Sequence, residues 1–179
     1  EAGNPVRSFP RAEGDAILDV LRELHFLTDK PVIYCANVSD DDVSGADNPH
    51  VAALKEYAAE KGCECVTVCA QMEADLAGLS EADAKEFLSS YGLTESALDR
   101  TIKLAYHTLG LASYLTAGPK EVRAWTFHRG WKAPKCAGVI HTDFEKGFIR
   151  AQVVSYADYV KYGGEKGARE AGVLRPEGK

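Results

Sequence analysis

Between residues 12 and 109 the hydrophobic pattern alternates between a helical and a strand period, and this confines the chain to an α/β fold with a parallel sheet. Ile17, Leu21, Leu24 and Leu27 recur at helical spacing and predict an amphipathic helix over about residues 12–28. Lys30-Pro31 ends it, because proline disfavours helix at the residue before it. Val32 to Ala36 (VIYCA) is a short, almost wholly apolar run of β-formers, as expected of a strand buried on both faces. A polar loop, NVSDDDVSGAD, follows. Asn48 then caps and Pro49 opens a helix carrying Val51, Leu54 and Ala58 on one side and stopped by Gly62. Residues 63–69 (CECVTVC) read as the second strand. Ser80 starts a helix with an acidic first turn, ended by Gly92. Thr94 starts another, with Leu98, Ile102, Ala105 and Leu109 in register, ended by Gly110.

From about residue 111 the texture changes. LASYLTAG and VRAWTFHRG predict a hairpin joined by a Gly-Pro-Lys turn. The stretch GWKAPKCAG leads to a short helical patch, and GFIRAQVVSY reads as a third strand. The terminal GGEKGAREAGVLRPEGK, glycine-rich and basic, receives no element. Residues 1–11 are rich in Pro, Gly and polar side chains and read as a linker. The expected organisation is therefore a linker and helix over 1–29, an α/β portion over 30–110, and a small α+β domain over 111–179. Charge divides at the same place. Residues 1–112 hold 9 Lys/Arg against 20 Asp/Glu, a balance of -11, whereas residues 113–179 hold 12 against 7, a balance of +5. The basic part is the candidate for a polyanion such as RNA.

With 179 residues, 45% apolar and 27% charged, the chain excludes disordered and fibrous classes. No run approaches the ~18 to 20 apolar residues of a membrane span. The first residue is Glu1 with no basic or apolar leader, so a fragment or processed chain is expected. Five cysteines (Cys35, Cys63, Cys65, Cys69, Cys136) lack both a disulfide-framework spacing and the CxxC pairs of zinc sites. They read as small buried hydrophobes in a reducing cytosol, and no metal site is expected. His107, His128 and His141 lack ligand spacing and read as structural or surface groups.

The informative place is the exit of the first strand, because ligands of open parallel sheets bind at the carboxyl ends of strands. There Asn37 and Asp40 stand three residues apart, the spacing of the base-reading N-K-x-D element of nucleotide-binding G domains. In that element the carboxylate accepts from the N–H donors of guanine, while the asparagine braces neighbouring loops. An asparagine at a strand exit is otherwise an ordinary turn former. The second strand ends Val68-Cys69-Ala70-Gln71, where such domains place a small residue and an alanine with backbone amides facing the base.

KPVIYCANVSD, VCAQMEADLAGLS, TAGPKEVRAWTFHRGWKAPKCAGVIHTDFEKGFIRAQ and the terminal EGK together resemble the YchF family, the Obg-like ATPases, over about Lys30 to Lys179. The resemblance implies the C-terminal part of a P-loop NTPase sheet followed by a TGS domain of β-grasp type. That domain would lack its last strand, leaving a vacant slot in its sheet. The family hydrolyses ATP, some members GTP, with Mg²⁺, and associates with ribosomes in the cytoplasm. The sequence holds no G-x-x-x-x-G-K-[ST], so no loop to cradle phosphates and no catalytic residue is expected, and the fragment by itself is expected to be inactive. The resemblance assigns nucleotide binding to Asn37, Val38, Asp40, Cys69 and Ala70. The family carries Asn-x-x-Glu here; Asp40 is one methylene shorter, which opens the choice between ATP and GTP. Val38 would meet adenine by packing and through its carbonyl.

In the basic module Lys120, Arg123, Arg129, Lys132 and Lys135 interleave with Trp125, Phe127 and Trp131, a mixture that suits RNA. Strand alternation makes Trp125 and Phe127 core residues. That leaves Arg129, Trp131, Lys132 and Lys135 as the RNA or ribosome contacts, with Trp131 the stacking candidate. The alternative to an NTPase portion is a non-catalytic RNA- or ribosome-binding module.

Overall fold

The computed structural model describes residues 3–12, 16–43 and 48–178. Residues 44–47 of the polar loop, 13–15 of the expected first helix and Lys179 of the terminal EGK lie outside them. The chain divides into two compact units, Glu1–Leu109 and Gly110–Lys179.

In the first unit α1 (Ile17–Leu24) is shorter than its pattern. His25 adopts the left-handed conformation (φ 50°) and ends it, and a 3-10 turn at Leu27–Asp29 follows. Hydrogen bonds from Val6 and Arg7 to Thr28, with an Arg11–Asp29 ion pair, tie the N-terminal segment to that turn. β1 (Ile33–Asn37) pairs in parallel with β2 (Glu64–Val68), with Asn37 level with Val68. Parallel pairing needs a crossover. It is supplied by α2 (Pro49–Glu60), where Asn48 Oδ1 accepts from the His50 and Val51 amides. Ala36, Val66 and Thr67 of the strands and Val51 and Ala58 of α2 are buried.

After β2 the chain turns at once into α3 (Ala70–Leu76), an element the sequence reading lacks. No side chain caps α3, and its residue pattern is masked by the strand run before it. The second strand therefore ends at Val68, with Cys69 as the residue before the helix. α4 (Glu81–Ser90) and α5 (Ala97–Thr108) begin after serine caps, Ser80 and Ser96. Val43, Cys69 and Met72 form the apolar core beneath the strand exits, joined by Leu76, Phe87 and Leu93.

In the second unit β3 (Leu111–Ala117) and β4 (Val122–His128) form the expected antiparallel hairpin. α6 (Ala133–Gly138) is held to β3 by the Tyr114 hydroxyl, which donates to the Cys136 carbonyl at 3.0 Å. α7 (Thr142–Lys146) leads to β5 (Arg150–Val153). The terminal stretch is not featureless. It contains α8 (Tyr156–Lys161), α9 (Glu165–Glu170) and β6 (Arg175–Gly178), and β6 pairs antiparallel with β5. Glycines hide these elements from a pattern reading, yet Gly163, Gly164 and Gly172 have positive φ and lie between them. Among the described residues β5 and β6 form a two-stranded sheet of their own, separate from the β3–β4 hairpin. Among the described residues no helix is long and apolar enough to cross a membrane.

Candidate functional site: the strand exits

Equal register brings the carboxyl ends of β1 and β2 side by side. The ladder continues one residue past β1, with the Val38 amide donating to the Val68 carbonyl at 2.9 Å. Asn37 then reaches across: its Oδ1 accepts from the Ala70 amide, the first residue of α3, at 3.2 Å. The two exits thus form one platform. Asn37 and Ala70 are exposed and Val38 is half-buried.

Asp40 opens an exposed 3-10 turn, Asp40–Asp42, directly after Ser39. This turn is anchored at its far end, because Asn48 Nδ2 donates to Asp42 Oδ2 at 3.0 Å. Val43 fixes it from below by packing into the core with Cys69 and Met72.

Cys69 follows its reading as a small buried hydrophobe, whereas the Ala70 amide is taken up within the chain. Cys69 is 2% exposed and joins the core, so its thiol is a packing group under the platform. The Ala70 amide, expected to face a base, is already engaged by Asn37. Hydrogen-bonding groups at the exit among the described residues include the Asn37 amide nitrogen, the Ser39 hydroxyl and the Asp40 carboxylate. Among the cysteines, Cys35 is exposed, contrary to its reading as a buried hydrophobe.

Glu73 is a residue that sequence reasoning missed. From the first turn of α3 its carboxylate accepts from the Ala97 amide at 2.7 Å and the Leu98 amide at 3.2 Å. A carboxylate on the first amides of a helix satisfies orphan donors and suits the helix dipole. It locks α3 to α5, and hence Ala70 in place. Arg100 of α5 adds a bond from Nη2 to the Thr67 carbonyl at 3.2 Å.

In the second unit Arg129, Trp131 and Lys132 lie between β4 and α6, and Lys135 lies in α6. Arg129 Nε donates to the Leu111 carbonyl at 3.2 Å. Lys132 is exposed before α6. Trp131 is half-buried, with Lys135 Nζ 4.3 Å from its ring centroid and the His128 ring at 5.1 Å. The proposed stacking face is therefore already partnered within the chain. Trp125 and Phe127 are half-buried; Trp125 Nε1 donates to Thr116 Oγ1 at 2.9 Å, and Phe127 packs on Tyr114.

The family model YchF-GTPase_C, described as a protein of unknown function, matches residues 111–179. The chain is 49% identical over 180 residues to the ribosome-binding ATPase YchF of Bacillus subtilis, covering 100% of this chain and 49% of that protein. It is 51% identical over 159 residues to the protein of the same name from Escherichia coli O157:H7, covering 89% of this chain and 43% of that one. The structure of the Schizosaccharomyces pombe YchF GTPase superimposes with a TM-score of 0.79 at 34% identity, over 98% of this chain and 46% of that one. The chain spans about half the length of the curated relatives it matches. Sequence identity along the chain and a shared α/β architecture agree, and the chain belongs to the YchF family.

Proposed function

We propose that this chain is the base-reading and ribosome-docking portion of a P-loop NTPase that hydrolyses ATP, with GTP as the competing substrate. Residues 30–110 supply the wall that recognises the base, and residues 111–179 the TGS-like module that meets the ribosome. The observation that carries the reading is the Asn37–Ala70 hydrogen bond, which closes two parallel strand exits into one surface. Relatives bearing the name ribosome-binding ATPase supply the activity and the partner.

On this reading Asn37 does two tasks. Its oxygen braces Ala70, and its amide nitrogen remains a donor for a purine ring nitrogen. The Asp40 carboxylate and the Val38 carbonyl are acceptors for an exocyclic amine or ring N–H. The phosphates lie elsewhere in the whole protein, since this sequence has no Walker-type loop. Mg²⁺ would neutralise charge on the triphosphate there. None of these residues performs the chemistry; they select the nucleotide and orient it, in the cytoplasm where ribosomes work.

The test uses the full-length protein. Asp40→Ala should lower the preference for purine over pyrimidine triphosphates by about tenfold or more, because a site built for hydrogen bonds discriminates strongly. The turnover number with ATP should change less than about threefold, because Asp40 acts on the base. Equal loss for ATP, GTP and CTP overturns the assignment. For the second module, replacing Lys132 and Lys135 together should flatten the salt dependence of ribosome binding by about two units of log–log slope. A salt-independent interaction points to a protein contact instead of RNA.

A further inference from the structure

The first unit has a concave feature away from the strand exits. A cleft of 460 Å³ is lined by Lys55 of α2, Thr67 of β2, Arg100, Lys103 and His107 of α5, and Glu95 just before α5, among others. Its volume falls in the range of small-molecule sites. Its charge is anomalous for its surroundings. Residues 1–112 carry 20 acids and 9 bases, yet three of those bases line the cleft against one acid, Glu95.

The countercharges are incomplete. Lys103 pairs with Glu95, and His107 Nδ1 lies 3.3 Å from Glu64 Oε1. Lys55 has no ion-pair partner among the described residues and is exposed. Arg100 spends Nη2 on the Thr67 carbonyl, a neutral acceptor, and its Nε is buried with no hydrogen-bond partner. A buried, unsatisfied donor on a permanent cation is costly. The Lys55 and Arg100 charges therefore face the cleft with no carboxylate to balance them.

We propose that this cleft binds a small phosphoryl anion carrying at least two negative charges, held by Lys55 and Arg100 with Lys103 beside them. The planar guanidinium fork suits phosphoryl oxygens, and the lysine supplies a mobile point charge. The surrounding acidic surface favours a compact ligand over RNA, because a long polyanion would lie across the acids as well as the cleft. The site is distinct from the base platform, which it adjoins through β2 and α5.

Pyrophosphate is the probe, titrated into this chain and followed by amide chemical shifts. Saturable shifts confined to residues 65–67 and 100–107 are expected. Lys55→Glu, at an exposed position that leaves the fold intact by circular dichroism, should weaken the dissociation constant by about tenfold or more through charge reversal. ADP should shift the same amides in addition to residues 37–40, whereas adenosine should shift only the latter. Failure of adenosine alone would sink the base reading and leave this one standing. Absence of saturation by about 10 mM pyrophosphate overturns the proposal, since a weaker contact is no site. So does unchanged affinity in Lys55→Glu. Displacement of pyrophosphate by a short single-stranded RNA would likewise overturn it in favour of a nucleic-acid contact.

Discussion

At the scale of single residues, carboxylates and thiols do the positional work. Glu73 satisfies two amides at the start of α5, from a helix 24 residues away in sequence. Glu73→Ala should cost about 1–2 kcal/mol in urea denaturation, the range of a lost helix cap, and Glu73→Gln should recover part of it. An unchanged midpoint would show that Ser96, which already caps α5, suffices. The thiols are graded by burial. Burial disfavours the thiolate of Cys65 and raises its pKa, and the same holds for Cys136. Exposed Cys35 should alkylate first at pH 8, Cys65 and Cys136 more slowly, and Cys69, buried in the core, only on unfolding. Mass spectrometry of partly labelled protein reads the order directly. A folded pKa raised above the unfolded value stabilises fully below the unfolded pKa and is lost as pH rises through the folded one. The Cys65 and Cys136 contributions therefore fade on the alkaline side.

At the scale of elements, boundaries follow caps and glycines. Asn48 holds the first amides of α2 and, through its amide nitrogen, Asp42 of the 3-10 turn. Asn48→Ala should cost about 1 kcal/mol for the cap. It should also loosen the Asp40 turn, seen as faster amide exchange at residues 40–43. Asn48→Asp keeps the cap but places a second carboxylate beside Asp42, so it should restore stability only at low pH. Gly167 is the tightest glycine in the second unit: a Cβ there would overlap the Tyr162 carbonyl oxygen. Gly167→Ala should displace α9 and destabilise by about 1–3 kcal/mol, as overpacking does. A wild-type unfolding midpoint would mean that the α8–α9 connection shifts freely.

At the scale of the whole molecule, the two units bury apolar residues unequally. Among the described residues the first buries Ala36, Val43, Val51, Ala58, Val66, Cys69, Met72 and Ala97, whereas the second buries Phe148 and Ala168. Opening free energy follows buried contacts. Amide exchange should therefore be slowest at residues 33–37 and 64–68 and faster across 111–160. Uniformly slow exchange would show that the second unit is stabilised by more than its own core. Large apolar side chains remain open to solvent on α1 (Val20, Leu24) and on α5 (Leu98, Ile102). Helical periodicity identifies such stripes, but an amphipathic pattern does not guarantee a partner within the same chain.

The sequence by itself determined the β1–α2–β2 order, the parallel pairing and the hairpin, since periodicity and caps are local and the crossover rule leaves few topologies. It also determined that Asn37 and Asp40 stand at a strand exit. Only the tertiary structure decided that Asn37 spends its oxygen on Ala70 and that Glu73 fastens α3 to α5. Those are contacts across 24 to 33 residues, and no local period encodes the partner of a single polar side chain. The β5–β6 pair belongs with them: four residues containing a proline and a glycine carry no strand signal, and Arg175–Gly178 is a strand because Arg150–Val153 offers it a ladder.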